Sequence, residues 1–119
     1  MGVRRWVTGL GVGVVLAACG GGSGMDPLPP GVMADTVTIV DNAFGPGSVS
    51  IVQGGTVTWL WSSNNTMQHN VRWGAGPVLP TGSATQATGA PYEVTFTQFG
   101  TYEFNCSVHV GMSGTVFVQ

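Results

Sequence analysis

The chain contains 119 residues, of which 7% are charged, and its formal net charge is −2. This length accommodates one small domain, so a catalytic domain joined to a regulatory domain is excluded. Three Arg and no Lys cannot form the basic cluster that phosphate recognition requires, which excludes a nucleic-acid partner. An apolar fraction of 43%, with 20 Gly and 7 Pro, favours a folded domain rich in turns over a disordered or helical chain.

Residues 1–18 have the features of an export signal peptide. Arg4 and Arg5 precede an apolar stretch of 13 residues, which is shorter than the roughly 17–25 residues of a membrane span. The stretch ends in Leu-Ala-Ala-Cys, which looks like a bacterial lipobox and implies cleavage before Cys19 and lipidation of that residue. The alternative is an ordinary signal peptide that is cut near Ala18. We expect an exported protein that is lipid-anchored to the cell envelope, at the outer membrane or periplasm in a Gram-negative host.

From Cys19 onward the sequence divides into a tether and a β domain. Residues 19–34 begin with the lipidated cysteine and continue as a Gly- and Pro-rich segment that predicts a flexible tether. In residues 35–119 Val and Thr each occur 12 times and Leu only twice, a composition that favours strands. Apolar residues there recur with a period of two, as at Val57, Trp59 and Trp61. About seven short strands between turn residues predict an all-β sandwich or barrel.

Four residues of this domain form a candidate set of metal ligands. Cys106 is the only thiol left after processing, and it begins the pattern Cys-x2-His-x2-Met with His109 and Met112. His69 is the only other histidine. Two imidazoles, a thiolate and a thioether are the ligands of trigonal copper sites with a long axial Met, because soft sulfur stabilises Cu(I) while imidazole binds both oxidation states. The alternatives are a buried inert thiol, a core or loop histidine and a core methionine.

The segments that carry these residues resemble the plastocyanin/azurin-like cupredoxins. The likeness spans residues 35–119, and its motifs are residues 69–71 and residues 99–116. The short His-x2-Met spacing is similar to that of the amicyanins. The resemblance implies a Greek-key β-sandwich that holds one type 1 copper ion at one end. The implied copper ligands are His69, Cys106, His109 and Met112.

The resemblance also implies roles for neighbouring residues. Asn70 and Ser107 are expected to form hydrogen bonds that hold the ligand loops, since such bonds orient metal ligands. His109 is expected to be the exit for electrons, within an apolar surface that includes Val108 and Val110. Many relatives have proline at one of those two valine positions, so this loop is expected to be more flexible.

We expect a blue copper protein that carries single electrons, and not an enzyme. Four protein ligands leave no open coordination position for a substrate. The expected partner is a redox protein such as a cytochrome, an oxidase or a reductase, and the chain is expected to be a monomer. Two alternatives remain open at this point. One is an envelope copper-binding protein for copper storage, delivery or tolerance, and the other is a metal-free β-sandwich for adhesion or partner binding.

Overall fold

The structure is a computed structural model that describes residues 32–119, and this range forms nine β-strands in two sheets. The strands are β1 (Val32–Met33), β2 (Thr36–Val40), β3 (Ala43–Gly45), β4 (Ser48–Ile51), β5 (Thr56–Trp61), β6 (Arg72–Ala75), β7 (Tyr92–Thr95), β8 (Gly100–Asn105) and β9 (Ser113–Val118). The predicted all-β sandwich is confirmed, with nine strands where about seven were expected. The two additional strands, β1 and β3, have two and three residues, which is too short for alternation to be visible in the sequence. Within the described range no helix is long and apolar enough to cross a membrane.

The two sheets have different strand orders. One is β1-β4-β9-β8-β6, and the other is β3-β2-β5-β7. The pairs β4–β9 and β2–β5 are parallel, whereas β8–β9 and β6–β8 are antiparallel. Parallel neighbours cannot be joined by a tight hairpin. The chain therefore passes from one sheet to the other, as between β3 and β4 and between β4 and β5, and these connections link the two layers covalently.

The core lies between the two sheets and follows the predicted alternation. Val37 and Ile39 of β2 and Val57 and Trp59 of β5 have no exposed surface. The indole of Trp59 packs edge-to-face against Phe104 of the opposite sheet, with 5.3 Å between ring centroids. Edge-to-face packing is a favoured arrangement of aromatic rings. The Trp59–Phe104 contact therefore joins the two layers at the centre of the domain.

Strand pairing brings three chain segments to one end of the sandwich. Arg72, the first residue of β6, pairs with Asn105, the last residue of β8. Asn105 also pairs with Ser113, the first residue of β9. The segments before β6, after β8 and before β9 therefore meet at the same end, and these segments carry the four predicted ligands.

The described range begins before the predicted domain boundary at residue 35. Val32 and Met33 pair in parallel with Val49 and Ser50 of β4, so the sheet includes the last part of the predicted tether. The predicted signal peptide (residues 1–18), the lipidated Cys19 and the tether up to residue 31 lie outside the described residues.

Candidate metal centre

Three of the predicted ligands come together at the end of the sandwich. One side-chain ligand atom from each of His69, Cys106 and His109 lies within 4.8 Å of the others. The Cys106 Sγ atom is 3.5 Å from Nδ1 of His109 and 4.0 Å from Nδ1 of His69. His69 and Cys106 are buried, whereas His109 is partly exposed. The cluster therefore lies just below the surface, and His109 is its member nearest to solvent.

The loop between β8 and β9 supplies Cys106, His109 and Met112. The N–H of Cys106 donates to the carbonyl of Met112 at 2.9 Å, which closes the loop at its base. The N–H of Met112 donates to the carbonyl of His109 at 3.3 Å. Gly111 has a φ of +86°, a conformation that glycine adopts without strain, and it turns the chain back toward β9. Met112 is buried, as is Cys106.

The backbone of His69 is held by two neighbouring segments. His69 and Gln86 exchange two backbone hydrogen bonds, of 2.9 and 3.0 Å. The indole Nε1–H of Trp61 donates to the carbonyl of His69 at 3.0 Å. Gln86 belongs to the long loop between β6 and β7, and Trp61 ends β5. The loop and the strand together fix the position at which the imidazole enters the site.

The far nitrogen of the His69 ring contacts an acidic residue that the sequence did not indicate. Nε2 of His69 lies 2.8 Å from Oδ1 of Asp41. This hydrogen bond is the main reason that the pKa of Asp41 lies well below its ordinary value, and a hydrogen bond from the Thr66 N–H contributes further. A carboxylate can only accept hydrogen bonds, so Nε2 must carry the proton. In the neutral ring, the lone pair of Nδ1 is then available on the side that faces Cys106.

Asn70 and Ser107 join the two segments that bear the ligands. The Nδ2 amide of Asn70 donates to Oγ of Ser107 at 2.8 Å, and the backbone N–H of Ser107 donates to Oδ1 of Asn70 at 2.8 Å. Nδ2 also donates to Oγ1 of Thr85 at 2.8 Å. Because Asn70 follows His69 and Ser107 follows Cys106, this pair of bonds sets the distance between the two segments.

The surface around His109 is apolar. Val108 is 51% exposed, and Val110 is exposed to the full extent of its side chain. Exposed valines on both sides of a partly buried imidazole leave the ligand loop without charged side chains at its tip. Among the described residues, the Cys106 sulfur is the one hydrogen-bond partner of the His109 ring.

The donor atoms fit a copper ion. Metal–nitrogen and metal–sulfur bonds are about 2.0–2.3 Å in protein sites such as those of zinc, so trigonal ligands lie roughly 3.5–4 Å apart. The two separations from Cys106 Sγ, 3.5 and 4.0 Å, agree with that spacing. Two imidazoles, one thiolate and a buried thioether are the ligands of a type 1 copper site. The fold and the site together define a cupredoxin, a β-sandwich protein with one copper ion at its end.

Comparisons with known proteins agree with this class. The family model described as copper binding proteins, plastocyanin/azurin family, matches residues 32–119. Amicyanin from Paracoccus denitrificans is 32% identical over 102 residues, which cover 78% of this chain and 73% of that protein. Plastocyanin from Scenedesmus fuscus is 36% identical over 87 residues, which cover 64% of this chain and 86% of that protein. The chain belongs to the plastocyanin/azurin family of copper-binding proteins.

Solved structures show the same fold. The reduced Cu(I) form of an amicyanin variant superposes with a TM-score of 0.60 at 27% identity, over 80% of this chain and 88% of that chain. A copper-containing nitrite reductase from Thermus scotoductus has a TM-score of 0.62 at 27% identity, over 80% of this chain. The match covers only 25% of the reductase chain, so the similarity is to a part of that enzyme.

Proposed function

We propose that this protein carries single electrons between redox proteins at the bacterial cell envelope and that it is not an enzyme. When bound, copper supplies the redox couple Cu(II)/Cu(I), which gains and loses one electron. One observation carries the proposal: the cluster of His69, Cys106 and His109, with Met112 buried on the same loop, lies beside a surface on which Val108 and Val110 are exposed.

The residues around the site favour electron transfer because they hold its geometry constant. Asn70 connects the two ligand segments, the Cys106–Met112 backbone bond closes the ligand loop, and Gln86 fixes the backbone of His69. Ligands held by such bonds move little when the charge on the metal changes, and ligands of mixed hardness suit both oxidation states. A small structural change on electron transfer permits fast exchange.

The exposed valines favour a brief encounter with a partner. His109 lies between the buried thiolate and the surface, so it is the proposed path for electrons. Weak, small interfaces are typical of redox encounters. The partner we propose is a protein that presents its own redox group within an apolar surface, such as a cytochrome, an oxidase or a reductase. A monomeric carrier suits such exchange, since the apolar surface then remains free.

The proposal is tested by the rate of electron transfer to a small soluble c-type cytochrome. Val110→Glu places a charge in the apolar surface without replacing a ligand. We expect a lower second-order rate with little change in the reduction potential, because water and salt screen a fully exposed charge. Val52→Glu is the matched control. Val52 is 61% exposed and directly follows Ile51, which pairs with Val118 at the end of β9 that is far from the ligand loop. Equal rates for the two variants would contradict the proposed docking surface.

The same preparation distinguishes electron transfer from copper handling. Rapid, reversible oxidation and reduction with the copper retained supports the carrier. Transfer of copper to an apo-protein acceptor, with slow electron exchange, would favour a role in copper storage, delivery or tolerance.

We propose further that Cys19 anchors the protein to the envelope after export. The support is the sequence of residues 1–19, in which a basic start and an apolar stretch lead to Leu-Ala-Ala-Cys. Two or three acyl chains provide stable anchoring, whereas one chain is marginal. Expression of the full chain and of Cys19→Ser in a bacterium tests this by cell fractionation and mass spectrometry. We expect a lipid mass and membrane association that are both lost in Cys19→Ser, and a wild-type protein that is soluble and unmodified would contradict the anchor.

A further inference from the structure

We propose that Asp41 is a positioning residue of the copper site, which holds His69 with Nδ1 toward the metal and lowers the reduction potential through its charge. The inference rests on the copper site and not on the identity of a redox partner. It starts from a residue that lies 28 positions before His69 in the sequence and on a different element of the fold.

Asp41 is held rigidly by the fold. Asp41 and Asn42 form the two-residue turn between β2 and β3, where Val40 pairs with Ala43. Asn42 has a φ of +67°, a left-handed conformation that asparagine tolerates better than most residues. Strand β2 pairs with β5, and Ile39 is the partner of Trp61. The carboxylate therefore extends from a tight turn at the end of the sandwich that holds the copper ligands.

Both carboxylate oxygens are used, and all their partners belong to the segment that leads to His69. Oδ2 accepts from the N–H and the hydroxyl of Thr66, at 3.0 and 2.9 Å. Oδ1 accepts from the N–H of Met67 at 3.1 Å and from Nε2 of His69 at 2.8 Å. One side chain thus fixes both the backbone before His69 and the rotation of its ring.

This arrangement has a chemical consequence for the metal site. A carboxylate that accepts from the far nitrogen of a metal-bound imidazole fixes the tautomer and makes the ring a better electron donor. Cu(II) carries one more positive charge than Cu(I), so a nearby negative charge stabilises the oxidised form more. The Asp41 side chain is 27% exposed while His69 is fully buried, and water therefore screens this charge only in part.

The test compares variants of the full chain, purified in detergent and loaded with copper. Asp41→Asn keeps an oxygen that can accept from Nε2 and removes the charge, while the oxygen that accepts from Thr66 becomes an amide nitrogen that cannot accept. Asp41→Ala removes the charge and both oxygens. Mutation of the hydrogen-bond partner of a metal-bound histidine typically changes metal affinity by about 10- to 100-fold. Loss of the Asp41 charge weakens the binding of Cu(II) more than that of Cu(I). We therefore expect Asp41→Asn to shift the Cu(II)/Cu(I) equilibrium about tenfold toward Cu(I). For one electron this is an increase of about 59 mV in the reduction potential.

Asp35→Asn is the matched control. Asp35 is an exposed aspartate at the other end of β2, where its side chain accepts from the Thr36 hydroxyl, so this variant changes net charge by the same amount far from the site. We expect its reduction potential to equal that of the wild type. Equal shifts in Asp41→Asn and Asp35→Asn would overturn the inference, because net charge alone would then explain the change.

A second readout uses the copper-free protein. Nitrogen-15 NMR of His69 reports which ring nitrogen carries the proton, and we expect Nε2–H in the wild type and a mixture of tautomers in Asp41→Ala. An unchanged His69 tautomer in Asp41→Ala would overturn the positioning role. Failure of the wild-type chain to bind copper would overturn the metal site itself, so the two kinds of failure are distinguishable.

Discussion

Removal of the Asn70 side chain is expected to separate the two ligand-bearing segments and to destabilise the copper-free protein by about 2–3 kcal/mol. Asn70 is 1% exposed and makes three hydrogen bonds, two with Ser107 and one with Thr85. Each such bond contributes roughly 1 kcal/mol. Ser107 is exposed, so water can replace some of its lost partners in Asn70→Ala, and this keeps the expected loss at or below the sum of the three bonds.

The assay is urea unfolding of the copper-free protein in the presence of a chelator. With a slope of about 1 kcal/mol per M for a small domain, the unfolding midpoint of Asn70→Ala should fall by about 2–3 M. Thr85→Val is the control, because it removes one of the three bonds, and its loss should be about 1 kcal/mol. A loss below about 0.5 kcal/mol in Asn70→Ala, or one no larger than in Thr85→Val, would refute the reasoning.

Three further changes test other parts of the structure. Met112→Leu removes the thioether but keeps a buried apolar side chain, so copper should be retained while the reduction potential rises, and a lower potential in voltammetry would contradict this. Burial raises the pKa of Tyr92 above its ordinary value of 10.0, so folding favours the neutral phenol and stability falls as pH rises past that value. The urea midpoint of Tyr92→Phe should therefore fall less than that of the wild type between about pH 8 and 11. Equal falls in the two proteins would contradict a raised pKa of Tyr92. A Cβ atom on Gly114 would clash with the ring of Phe104 and lie 2.6 Å from the carbonyl oxygen of Gly47, so Gly114→Ala should cost about 1–3 kcal/mol in urea unfolding. An unchanged free energy of unfolding in Gly114→Ala would contradict the close packing of Gly114 against Phe104 and Gly47.

The sequence was sufficient to predict the β-sandwich because its longer strands alternate. Val37 and Ile39, and then Val57 and Trp59, fall on one face at a period of two, and all four are buried. Strand β3 was missed because three residues carry no measurable period, although Phe44 within it is a core residue. Short strands are specified by the neighbours with which they pair, and these neighbours are distant in the sequence.

The metal ligands could be predicted because their residue types are scarce in this chain. There are two His and two Cys in 119 residues, so the occurrence of Cys106, His109 and Met112 at equal spacing was informative. Asp41 could not be predicted in this way. An Asp beside an Asn is common at any turn, and its contact with His69 depends on the pairing of β2 with β5, which local sequence does not reveal.

Titration of the copper-free full chain with Cu(II), alongside Cys106→Ser, tests the type 1 copper site most directly. Visible absorption and electron paramagnetic resonance report whether a thiolate binds the metal. We expect one equivalent of copper to produce an intense thiolate-to-copper band and a narrow copper hyperfine splitting, and Cys106→Ser to lose both. A weak, ordinary Cu(II) spectrum in the wild type, or an intense band that persists in Cys106→Ser, would contradict the copper site.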